Sequence, residues 1–215
     1  MKLEFWVDYN NPICYKQHQA LEAFLQKYDI EDFELLYRNY EMIPQFKPSE
    51  SCTFYDLMSK HYVETIDEVK KMYPDIPESF RPVSVHDAHR LSHLAKKENV
   101  AFQYHQILFK TYYELQEDIS NHQVLINIGK KAGLDEIKIM DILSSNQYQD
   151  QVNQNRENAC VKGIFELPHM RIDGKVKLAG FHDEPELYLN IKLLSSAVSK
   201  HEHCEDGNCE RKKTR

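Results

Sequence analysis

The sequence predicts an α/β fold interrupted by an all-helical block. Three observations predict it. Strand-like patterns stand near both ends of the chain, helical patterns fill the middle with almost no strand signal, and the order runs βαβ, a helical stretch, then ββα.

At the start, Leu3, Phe5 and Val7 alternate with Glu4 and Trp6, the period of a strand. Asn11-Pro12 reads as a helix start, because Asn is a favoured cap and Pro fits the first helical position, where no backbone donor is needed. Ala20, Leu21, Phe24, Leu25 and Tyr28 follow at helical spacing, and Phe33 to Tyr37 is a second strand candidate. Between about residues 51 and 160 the pattern is helical. Ala88, Leu91, Leu94 and Ala95 form one apolar stripe; Ile107, Leu108 and Tyr112 form another. Val124, Leu125 and Ile128 form a third that ends near Gly133, and Ile137, Met140 and Leu143 a fourth. Pro74, Pro77 and Pro82 break the chain between helices. Met170 and Ile172 then precede Asp173-Gly174, a hairpin signal, followed by Val176 and Leu178. Asp183 and Pro185 open a last helix through Leu187, Ile191, Leu194 and Val198, and a polar tail follows Lys200.

Composition narrows the function. The formal charge of −7 excludes a nucleic-acid partner held through phosphates, which needs a basic face. No apolar run approaches the ~18 residues of a membrane span. Acidic residues stand at positions 4 and 8, where a signal peptide would carry its apolar core, so the chain is expected in the cytoplasm. Five cysteines, Cys14, Cys52, Cys160, Cys204 and Cys209, make an odd count that does not read as a secreted disulfide framework.

The run Phe5-Trp6-Val7-Asp8-Tyr9 followed by Asn11-Pro12-Ile13-Cys14 resembles the first strand and active-site corner of the DsbA superfamily, whose pattern there is Cys-Pro-x-Cys. Asp87-Ala88-His89-Arg90-Leu91 with His93-Leu94-Ala95, and the stretch around Phe109, Tyr112 and Asp118-Ile119-Ser120, resemble the helical insertion of FrnE-like members. Leu167-Pro168 ahead of Gly174 is similar to the family's Val-Pro before a strand and an Asp-Gly turn, and Cys204 with Cys209 to the Cys-x4-Cys of some FrnE-like proteins. The likeness spans essentially the whole chain. It implies a DsbA-like thioredoxin fold with an inserted all-helical domain: residues 1–44 and 156–200 as its two halves, 45–155 as the insertion, and 201–215 as the tail. Three departures stand out: Asn11 replaces the first cysteine, Glu166 stands where Gly is frequent, and Met170 where an aromatic residue is common.

The resemblance implies thiol–disulfide chemistry. In such a site the first cysteine attacks from the helix N-terminus, where unpaired backbone donors and the dipole favour its thiolate, and the second resolves the mixed disulfide. Asn11 cannot attack, so Cys14, in the resolving position beside Pro12, is the corner's one thiol. Several readings stay open. Cys14 is a small buried residue of a lost site; or it exchanges with the tail pair Cys204 and Cys209. Alternatively Asn11 plays the part that Ser plays in the kappa-class glutathione transferases and 2-hydroxychromene-2-carboxylate isomerases, donating a hydrogen bond to a bound glutathione thiolate. In a fourth, the chain is a non-catalytic binding or adaptor module with a peptide along the Glu166-Leu167-Pro168 edge. Pro168 is expected to be cis. Glu166, if near the corner, would raise the Cys14 pKa, and His18, one turn after Cys14, could tune its thiol. The tail residues His201, His203, Cys204 and Cys209 could instead ligate zinc, and His86, His89 and His93 lie near one helical face, yet neither set is read as a metal site. Cys52 and Cys160 carry no motif and read as structural. No cofactor is required, glutathione being the one candidate. The expected partner is a protein or small-molecule thiol or disulfide, and a homodimer is left open.

Overall fold

The computed structural model describes residues 1–28, 30, 33–44, 46–47, 52–74 and 76–202, with backbone only for 195–202. Cys204 and Cys209 therefore lie outside the described residues, as do the side chains of Val198 and His201.

The first forty residues form β1 (Lys2–Val7), α1 (Pro12–Lys27) and β2 (Glu34–Asn39), with β1 and β2 parallel. The helical stretch comprises α2 (Phe54–Tyr62), α3 (Ile66–Met72), α4 (His86–Lys97), α5 (Ala101–Phe109) running into a π-helical turn (Lys110–Glu114), α6 (His122–Lys131), α7 (Glu136–Leu143) and α8 (Gln149–Val161). The chain closes with β3 (His169–Ile172), β4 (Val176–Ala179) and α9 (Glu184–Glu202). Among the described residues the sheet order is β2-β1-β3-β4, with β3 antiparallel to both β1 and β4. This is the DsbA-like thioredoxin fold that the resemblance implies. No helix among the described residues is long and apolar enough to cross a membrane.

Local chemistry sets the boundaries. α2 and α3 each begin with a capping box, Thr53 with Asp56 and Thr65 with Glu68, in which side chain and backbone satisfy one another's orphan donors. The β3–β4 turn places both Asp173 (φ 48) and Gly174 (φ 67) in the left-handed region that a tight hairpin demands. Asp173 also accepts the Lys2 amide at 2.6 Å, tying the turn to the start of β1.

Two details differ from the sequence reading. β1 does not alternate: Glu4 and Trp6 are buried along with Leu3, Phe5 and Val7. The strand is central and covered on both faces, so each side chain must be accommodated. Glu4 is held by Arg38 of β2 at 2.5 Å, and Trp6 packs edge-on to His169 of β3. In α7 the inward residues are Ile139 and Ile142, while Ile137 and Met140 are exposed. The segment Glu136–Leu143 carries apolar residues on more than one face, so periodicity does not single out the buried one. Gly129 of α6 does, because a Cβ there would lie 2.5 Å from Ile139 Cδ1. A single buried core runs from the sheet into the helical stretch, from Phe5 and Val7 through Leu91 and Tyr104 to Leu125 and Ile139. α8 spans residue 155 and packs against both β2 and α4.

Candidate active site

The site is built where β1 hands over to α1. Asp8, Tyr9 and Asn10 make the turn, Asn11 caps α1 and Pro12 opens it. The Asn11 Oδ1 accepts the Ile13 amide at 2.9 Å, and the Asn11 carbonyl accepts the Cys14 amide at 2.9 Å. The Asn11 side-chain amide then reaches across the molecule. Its Nδ2 donates to the Leu167 carbonyl at 3.2 Å and faces the Met42 sulfur at 3.9 Å. Leu167–Pro168 is a cis peptide, and the Pro168 carbonyl accepts the Gly180 amide at 2.9 Å. So residues 156 positions apart, Asn11 and Leu167, meet in one buried corner. Glu166 is exposed on its rim.

Cys14 sits inside this corner and is wholly buried. Burial pushes its thiol well above the ordinary range, and the nearby Asp8 carboxylate adds to the effect. Glu166 is not the cause; its field falls instead on Tyr62 and Tyr73.

Asp8 is the residue that sequence reasoning passed over. Its Oδ1 accepts the Asn10 amide at 2.8 Å and its Oδ2 the Met42 amide at 2.6 Å. Those donors favour the charged form, yet burial outweighs them and raises the carboxyl to about 7, with Glu41 adding a smaller push. The Asp8 charge acts on the buried Cys14 thiol and disfavours the thiolate. In the sequence it stood within the run Phe5-Trp6-Val7-Asp8-Tyr9 with no role of its own.

The helical stretch brings phenols to the corner. Tyr113 donates to the Tyr9 carbonyl at 2.7 Å, and the Tyr62 and Tyr73 hydroxyls meet at 3.0 Å. Burial raises all three, and Cys14 contributes to each. Nothing in the sequence distinguished these tyrosines from the chain's 13.

The histidines have other employment. His18 does not tune Cys14: its Nδ1 bonds the Tyr37 hydroxyl at 2.9 Å, and burial lowers its pKa to about 3. His89 stacks on Tyr9 and His93 on Tyr148, while His86 faces Glu41 at 3.1 Å. They do not converge, and among the described residues no group of His, Cys, Asp and Glu could hold a metal.

Known proteins share this fold. Residues 2–191 match the family model of the DSBA-like thioredoxin domain. A search of curated proteins finds no match. Among solved structures, a probable DsbA oxidoreductase from Streptomyces coelicolor superposes with a TM-score of 0.73 at 17% identity, covering 100% of this chain and 93% of that one. A 2-hydroxychromene-2-carboxylate isomerase superposes at 0.64 with 17% identity, over 96% of this chain and 100% of that one. The cytosolic disulfide reductase DsbM from Pseudomonas aeruginosa, solved with GSH, gives 0.59 at 14% identity, over 94% and 98%. At these identities the structural likeness speaks for the fold alone.

Proposed function

We propose a function on the premise that the chain belongs to the family of DSBA-like thioredoxin domains: a thiol–disulfide oxidoreductase of the DsbA/FrnE-like type whose corner carries one thiol instead of two. The observation that carries it is the assembly of Asn11, Cys14 and the cis Leu167–Pro168 peptide at the N-terminus of α1. On this reading the attacking sulfur is the part of a dithiol corner that the chain lacks. Cys14 is the thiol left to exchange with a disulfide. The tail pair Cys204 and Cys209, beyond the described residues, is the intramolecular source of a second thiol. The substrate is a protein or small-molecule disulfide. Asp8, whose carboxyl is raised to about 7, ceases to oppose the Cys14 thiolate when it is protonated. The test is a disulfide-reductase assay on wild type, Cys14→Ala and a Cys204→Ser/Cys209→Ser double variant. A slow wild-type rate should vanish with Cys14→Ala and fall with the tail variant. Activity that survives both changes would sink the thiol reading.

A second reading, glutathione-dependent isomerase or transferase chemistry, is favoured by one contact. The Asn11 amide has two N–H bonds; one meets the Leu167 carbonyl and the other faces the Met42 sulfur. A glutathione thiolate taking the place of that thioether would accept the same N–H, with the burial of Cys14 then no handicap. Calorimetric titration with glutathione checks it: binding by wild type and none by Asn11→Ala is the expected result, and equal binding by both would exclude this role for Asn11.

A further inference from the structure

A cavity of about 520 Å3 opens beside the corner, walled in part by Tyr40, Met42, Lys60, His61, Arg156 and Cys160. Small-molecule sites run from roughly 300 to 1,000 Å3, so the space is ample. Met42 is shared between the two, its sulfur facing Asn11 and the residue also lining this cavity.

The lining has a consistent chemistry. Cys160 is half-buried, more open than Cys14 or Cys52, so its thiol can be approached. The buried Tyr40 phenol lines the same wall as that thiol and feels its charge. Burial and the Cys160 sulfur raise the phenol to about 12, so it stays protonated and can donate to a thiolate. Arg156 is anchored by its Nε to the Glu41 carbonyl at 3.0 Å, which fixes the guanidinium at the wall. Lys60 adds a second cation from α2. His61, whose Nδ1 lies 3.3 Å from the Met42 carbonyl, is held neutral by burial. Among the described residues the lining includes no carboxylate; Glu166 lies one position beyond the lining residue Phe165. Lys60 and Arg156 outnumber the Glu166 carboxylate, whose field reaches the lining Tyr62, so in a chain of formal charge −7 the site keeps a local positive excess.

We propose that this cavity binds a small anionic disulfide and that Cys160 attacks it to form a mixed disulfide. Arg156 and Lys60 meet the ligand's carboxylates, and Tyr40 donates to the Cys160 sulfur. Cys160 releases its thiol proton to solvent, and a sulfur lone pair forms the new S–S bond. The ligand's S–S bond breaks, and its outer sulfur departs with the electron pair as a thiolate, which takes up a proton. The ligand disulfide is the oxidant, so no other co-reactant is needed. The step is independent of Cys14 and of any turnover at the corner.

The test uses the full-length, reduced wild-type chain with two probes, oxidised glutathione and the cationic disulfide cystamine. Adducts are mapped peptide by peptide after acid quenching, and each rate is normalised to that of a free cysteine peptide. At low salt the Cys160 adduct should form about tenfold faster with oxidised glutathione than with cystamine, since two nearby cations bias encounter by charge. Raising the salt, or Arg156→Gln with Lys60→Gln, should bring the ratio near one. Tyr40→Phe should slow Cys160 with both probes. A wild-type ratio at or below one, or adducts confined to Cys204 and Cys209, overturns the proposal. The wild-type ratio decides the matter even if a variant fails to fold. Because the readout is the adduct at Cys160, a negative result leaves the reductase reading standing, and the converse holds.

Discussion

Asn11→Ala is the most informative single perturbation of the corner, because one side chain makes two separable contacts. Its Oδ1 caps α1 through the Ile13 amide at 2.9 Å, and its Nδ2 bridges to the Leu167 carbonyl at 3.2 Å. Loss of a cap costs about 1 kcal/mol. Leaving a buried carbonyl without its donor costs about 1 to 3 kcal/mol, and Leu167 is 2% exposed. Together these predict a destabilisation of about 2 to 4 kcal/mol. Asn11→Ser separates the terms: its hydroxyl can cap the helix but is too short to reach Leu167, so its loss should be smaller by about the cap's 1 kcal/mol. Urea unfolding followed by circular dichroism, with equal m-values, gives both numbers. An Asn11→Ala chain within about 0.5 kcal/mol of wild type, the scale of an ordinary surface change, would refute the bridge as a structural link between the two halves of the fold.

Asp8, raised to about 7 by burial, holds its proton more tightly when folded than when unfolded. Its contribution to stability is therefore complete below its unfolded value of about 4 and lost as pH rises through 7. Because Asp8→Asn cannot titrate, the stability of wild type relative to that variant should fall by up to about 4 kcal/mol between pH 4 and 8; a flat difference contradicts the shift. Native alkylation with iodoacetamide should modify Cys204 and Cys209 before Cys52, and Cys14 last, since Cys14 is wholly buried and its thiol is raised. Labelling of Cys14 as fast as Cys52 would contradict its enclosure. Arg90 of α4 donates to Asp87 at 2.7 Å, to the Gln147 carbonyl at 2.8 Å, and to the Ile142 and Ser145 carbonyls. Arg90→Met should cost about 2 to 4 kcal/mol in urea unfolding, as several carbonyls lose a charged donor, and a loss under about 1 kcal/mol would show that the tether is dispensable.

The fold was legible because its signals are local. Asn11-Pro12 writes a helix start, Asp173-Gly174 writes a hairpin, and the stripe Ala88, Leu91, Leu94 and Ala95 writes the buried face of α4. The phase of α7 was not legible, because its apolar residues occupy more than one face and only the bare Gly129 surface of α6 selects Ile139. The corner was legible in part. Asn11, Cys14, Leu167 and Pro168 stand out as a broken motif, and the structure brings them together. Asp8, Met42 and the three tyrosines were not, since their roles arise from long-range packing: Met42 closes on Asp8 across 34 positions and Tyr113 on Tyr9 across 104. Cys160 carried no motif either; only the approach of α8 to Tyr40 and Met42 gives it surroundings.

The central claim is that the corner is a dithiol site lacking one sulfur, and Asn11→Cys tests it most directly. The new thiol would stand at the capping position of α1, one turn before Cys14, where first-turn donors and the dipole stabilise a thiolate. The measurement is thiol titration and disulfide-reductase activity of this variant beside wild type. The account predicts a thiol pKa below the ~8.5 of free cysteine, a reversible disulfide between the introduced thiol and Cys14, and reductase activity well above wild type. A variant that folds, never oxidises and stays as inert as wild type would contradict it.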